Sequence, residues 1–164
     1  MVNQTRFKVE EASYFLYMMK QTFNEESNNC IYNFNAFLSA ARSITYFMQQ
    51  QYCHQDGFIE WYCDQQVKMK KDQDLIILNK ARVDIIHKKP IATILEFTLI
   101  PIPNSKVVKD IYEKMTFNVD KRAFQINGEE IDIIKFSETQ LNKLIRLVEE
   151  CERRFIKGNS NDSI

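Results

Sequence analysis

Net charge is missing from this sequence. Its 22 Lys and Arg are balanced by 22 Asp and Glu, so the chain as a whole selects no partner of one sign, and any contact with nucleic acid must come from a local patch. Glycine and proline are scarce, at three each in 164 residues, which excludes collagen-like and low-complexity designs and suits helices with short connections. Cysteine is sparse and unpatterned. Cys30, Cys53, Cys63 and Cys151 form no C-x-x-C pair and have no His at zinc-ligand spacing, so free thiols, no metal and no cofactor are expected. The sequence contains no Gly-rich phosphate loop and no nucleophile elbow. No apolar run approaches membrane-spanning length, and the first residues lack the apolar core of a signal peptide, so a cytoplasmic protein without membrane contact is expected.

What is present is an ordinary apolar content with many aromatics, 12 Phe and 7 Tyr, enough for one domain over 1–164. Apolar residues recur at helical spacing over about 8–25, 31–53, 58–89 and 138–156. The second run is the most regular: Ile31, Phe34, Leu38, Ala41, Thr45, Met48 and Tyr52 form a seam that Phe37, Ile44 and Phe47 widen. Trp61 and Tyr62 read as core aromatics of the third run. Between the third and fourth runs, about 91–135, the period changes to that of strands. Asn127-Gly128 gives a hairpin signal there, and Ser137 has capping-box spacing to Gln140. Residues 158–164 read as a polar, disordered tail. The expected fold class is mainly α, with a small antiparallel hairpin or sheet inserted before the last helix.

The third run ends in Leu75-Ile-Ile-Leu-Asn-Lys-Ala-Arg-Val-Asp-Ile-Ile-His-Lys-Lys-Pro90. Pro90 has no N–H and disfavours helix at Lys89, so His87 falls in the last turn, where the negative end of the helix dipole favours a protonated imidazole. Arg82 lies five residues earlier. At about 100° per residue the two side chains diverge by some 140°, so a single straight helix does not unite them. Across Lys68–Lys89, seven Lys or Arg (Lys68, Lys70, Lys71, Lys80, Arg82, Lys88, Lys89) face three Asp (Asp72, Asp74, Asp84), a local positive excess suited to an anionic backbone. Arg42, amid small residues on the second run, reads either as a paired internal charge or as the lining of a nearby pocket, with pairing favoured because an unpaired buried guanidinium is costly.

Four amphipathic helices with Arg-x-x-x-x-His closing the third resemble the HEPN superfamily (higher eukaryotes and prokaryotes nucleotide-binding). The stretch Asn33-Phe-Asn-Ala-Phe-Leu-Ser-Ala-Ala-Arg-Ser-Ile-Thr45 is similar to the second helix of uncharacterised bacterial HEPN-like proteins. The resemblance covers Phe7–Pro90 and Ser137–Ile156. It implies an antiparallel up-and-down four-helix bundle and a homodimer acting as a metal-independent endoribonuclease on RNA. In that reading Arg82 grips the scissile phosphate. His87 exchanges protons with the 2′-hydroxyl or the leaving 5′-oxygen, giving a 2′,3′-cyclic phosphate. Lys80, Lys88, Lys89, Asp84 and Arg42 are the substrate-binding candidates. A two-fold axis supplies what one helix cannot, by bringing two Arg/His pairs to one cleft. Two departures keep a second reading open, that of a non-catalytic dimer binding a nucleotide, RNA or protein. Val83 stands where active members commonly carry a polar residue, often Asn. Lys88-Lys89-Pro90 replaces the x-Tyr that follows the His in the toxin branch.

Overall fold

The computed structural model describes residues 3–25, 27–87, 93–101, 115–126 and 128–156. In chain order these form α1 (Gln4–Gln21), α2 (Asn29–Tyr52), α3 (Phe58–Lys71), α4 (Gln73–His87), β1 (Thr93–Pro101), β2 (Met115–Ile126), β3 (Glu129–Asp132) and α5 (Ile133–Phe155). The architecture is mainly helical, with five helices and a three-stranded antiparallel sheet of order β1-β2-β3. No described helix is long and apolar enough to cross a membrane.

The α2 seam forms the centre of the core. Phe34, Leu38, Ala41, Met48 and Tyr52 are buried, joined by Phe37 and Ile44, as the helical periodicity predicts. α1 packs back along α2, its Thr5 N–H and hydroxyl both donating to Gln51 Oε1 at 3.0 and 2.9 Å. Asn3 caps α1 by accepting from the Arg6 N–H, while Arg6 and Asn3 both donate to Glu152 near the end of α5. The start of α1 and the end of α5 are thus tied by one carboxylate. Gly57, at φ +74°, precedes α3 in the left-handed region, a conformation that side chains disfavour. Phe58, Trp61 and Tyr62 then enter the core, Trp61 donating its indole N–H to Glu150 at 3.1 Å.

Three expected runs need correction. The first, expected over about 8–25, is α1 at Gln4–Gln21, begun by the Asn3 side chain that accepts from the Arg6 N–H and ended before Thr22. The run 58–89 is not one helix. α3 stops at Lys71 and α4 begins at Gln73, because Asp72 takes an extended conformation and its carboxylate accepts from the N–H groups of Asp74 (3.0 Å) and Leu75 (3.2 Å). An Asp that satisfies the free N–H groups of a new helix competes with continuation of the old one. Lys143 of α5 binds both Asp72 and Asp74, at 2.8 and 2.7 Å, fixing the break from the opposite side. The last helix begins at Ile133, not 138. Its cap is Asp132, which accepts from the Lys135 N–H at 2.8 Å, and Ser137 lies inside the helix with its hydroxyl donating to the Ile133 carbonyl.

The inserted strands confirm a small antiparallel sheet. β2 pairs with β3 through Ile126↔Glu129 across the expected turn, where Gly128 has φ +85°. β1 pairs with β2 from Thr93↔Phe124 to Pro101↔Met115, with a register shift after Glu96. The sheet joins the helices through β2. Phe124 is fully buried, its ring 5.1 Å from that of Phe34 on α2 and 5.3 Å from that of Phe136 on α5. Beside it Arg122 is buried, its Nε donating to the Phe23 carbonyl at 2.7 Å and a second N–H to the Glu25 carbonyl, both in the α1–α2 turn. Nothing in the sequence marks this arginine as internal.

Candidate nucleic-acid interface

α4 buries Ile77, Leu78 and Ala81 and leaves Ile76 exposed. Arg82 follows Ala81 and is partly buried. It forms no hydrogen bond or ion pair with the described residues. Lys80 and Asp84, also partly buried, lie on the same turns and both have interactions within the chain. α4 ends at His87, three residues before Pro90. The side chain of His87, and all of Lys88 and Lys89, lie outside the described residues.

Arg42 corrects an expectation. It is exposed rather than internal, and its guanidinium is held one turn along α2 by the Thr45 hydroxyl at 2.7 Å. One N–H group is used and the remaining guanidinium donors point to no described carboxylate. Arg42 lines a cleft of about 260 Å³ between α2, α3 and α4. The floor of the cleft is apolar, built from Met69, Leu75, Leu78 and Leu144. Its polar lining includes Arg42, Lys70, Gln66, Asn79, Thr45 and Tyr62, and no Asp or Glu among the described residues contributes. Lys70 is exposed in the last turn of α3 together with Lys68 and Lys71, and none of the three forms an ion pair with the described residues. The bland account of these lysines is that they complement the negative end of α3. That account explains their sign but gives their ammonium groups no carboxylate partner among the described residues.

A second cleft, on the other side of Met69, Leu75 and Leu144, is different in charge. Lys68, Lys143 and Arg146 line it together with Asp72 and Glu150, so its cations have carboxylates beside them. Burial alone would raise the Asp72 carboxyl. The Lys143 ammonium and the N–H groups of Leu75 and Asp74 outweigh burial and hold it below the usual carboxylate range. The cysteines offer no nucleophile in the core, since burial pushes the Cys30 thiol up to about 11 and the Cys151 thiol up to about 12.

The structure therefore brings Arg42 to a cleft whose α4 wall includes Asn79, one turn before Arg82, while Lys80 and Asp84 are not among its lining residues. Sequence reasoning missed Gln66 and Asn79, and counted Lys70 only as part of a basic run. The available signal was Gln66–Lys70 at i, i+4 on one helix face. No protein-family model, curated protein or solved structure matches the chain.

Proposed function

We propose that the protein is a HEPN-like ribonuclease that works as a homodimer, cutting RNA without a metal ion. In this reading α3 and α4 together are the bent third helix of a four-helix bundle, with α1, α2 and α5 as the others. The observation that carries it is Arg82: a partly buried guanidinium near the end of α4 that has no described partner within its own chain. A half-buried cation with no partner among the described residues is suited to a phosphate that arrives from outside. Arg82 binds the scissile phosphate and stabilises its transition-state charge. His87, closing the same helix, serves as acid and base, and a second subunit supplies the companion pair.

The test is incubation of purified protein with structured RNAs in EDTA, alongside His87→Ala. Cleavage products ending in 2′,3′-cyclic phosphate, lost in the variant, are expected. Cleavage that survives the substitution unchanged removes His87 from the mechanism. Val83 favours one second reading, in which the same dimer binds RNA without cutting it. An inactive wild-type protein that still binds RNA through Arg82 would establish that reading instead.

A further inference from the structure

We infer that the cleft between α2, α3 and α4 seats a single unpaired nucleotide of an RNA strand, making it a specificity pocket beside Arg82. Three features of the lining point to this occupant. Met69, Leu75 and Leu144 give a floor that takes a flat apolar body, while Arg42 and Lys70 at the polar lining take a negative group. No carboxylate among the described residues lines the cleft to repel that group. The amides of Gln66 and Asn79 form no hydrogen bond with the described residues, and each can offer both a donor and an acceptor to a base edge.

Size and placement narrow the occupant further. About 260 Å³ lies just under the usual small-ligand range, room for one base with its phosphate at the opening. A duplex keeps its bases stacked and presents no such projection, whereas loops, bulges and single strands do. Asn79 precedes Arg82 by three residues on α4, about 4.5 Å along the axis. A nucleotide seated against Asn79 therefore leads its strand toward Arg82. The adjoining cleft lined by Lys68, Lys143, Asp72 and Glu150 carries both signs and is a poor site for the same ligand. As a pocket for the cleaved strand the inference rests on the ribonuclease reading; as a pocket for an unpaired nucleotide it does not.

The experiment measures binding without turnover. His87→Ala protein is titrated with a fluorescein-labelled ten-nucleotide unstructured RNA, with the blunt duplex of the same sequence, and with AMP as competitor. The single strand should bind at least about tenfold more tightly than the duplex. Arg42→Ala and Lys70→Ala should each weaken it about tenfold, leave the melting temperature unchanged, and reduce the slope of log affinity against log salt by about 0.7 per phosphate contact removed. Asn79→Ala should alter the ranking of homopolymer ten-mers. Equal binding of duplex and single strand would overturn the pocket, and so would affinity indifferent to both Arg42 and Lys70. AMP competing as strongly as the ten-mer would assign the cleft to a free nucleotide and overturn its role for RNA. Failure of the ribonuclease reading looks different: His87-independent cleavage, or none, with Arg42-dependent binding of single strands intact.

Discussion

Two sides of the molecule use their cations in opposite ways. Toward α5 and the sheet, Arg6 is bonded to Glu152, Lys143 to Asp72 and Asp74, and Arg122 to two backbone carbonyls. Toward the cleft, Arg42, Lys70 and Arg82 have no carboxylate among the described residues. The first group closes the fold on itself. The second is held in position by helices that are anchored elsewhere, and its charges remain available. The ends of α4 show the contrast at its sharpest, with a start clamped by Asp72 and Lys143 and an end that carries Arg82.

The largest effect should come from breaking the closed side. Arg122→Met removes the donor to the Phe23 and Glu25 carbonyls, and stability to urea should fall by about 3 kcal/mol. A loss under about 1 kcal/mol would mean that the α1–α2 turn does not depend on this arginine.

Lys143→Met should have a smaller effect, about 1 kcal/mol near neutral pH, because its ion pairs are partly solvated. Its pH dependence is more distinctive. Burial lowers the Lys143 ammonium, but hydrogen bonds to Asp72 and Asp74 outweigh that and raise it. The Asp72 contribution is present above the ordinary carboxylate pKa of about 3.9 and is lost as pH falls through its depressed folded value. The Lys143 contribution is present below about 10.4 and is lost as pH rises through its raised folded value. Urea midpoints from about pH 3 to pH 11 should show both limbs in the natural protein. In Lys143→Met both limbs should shrink without vanishing, since Asp72 keeps its backbone donors and the buried thiols of Cys30 and Cys151, raised above their unfolded values, still lose stability as pH rises. Unchanged limbs would exclude this network as their source.

The smallest expected effect tests the open side. Arg82→Ala should change stability by no more than about 0.5 kcal/mol in either direction, measured by the same titration. A large loss, or dissociation of a dimer seen by ultracentrifugation, would move Arg82 to the closed side and give it a structural partner across the interface.

Much of the helical body was legible in sequence, for reasons specific to its residues. The α2 seam and the apolar stripe of α5 are set by periodicity, which local geometry alone converts into one buried face. The Asn127-Gly128 turn was legible because Gly128 must adopt positive φ. The helix break at Asp72 was not. Val67–Asp74 is mostly polar, with only Val67 and Met69 apolar, and what singles out Asp72 is Lys143, which lies 71 positions away. The start of α5 was misread because Asp132 and Ser137 are both good caps, and the β-branched Ile133-Ile134 prolongs the strand pattern. The candidate site divides the same way. Arg82 and His87 stand out as a motif on one helix, whereas the cleft draws Arg42, Lys70 and Asn79 from three helices that no local pattern connects.

Arg122 has a consequence for the order in which the chain matures. The carbonyls of Phe23 and Glu25 wait for a donor 99 and 97 positions further along. During synthesis the α1–α2 hairpin therefore emerges with its turn unfinished and receives its last bonds after β2 has left the ribosome. An alteration that delays the strands should show itself first at the opposite end of the sequence, as protease sensitivity around Phe23.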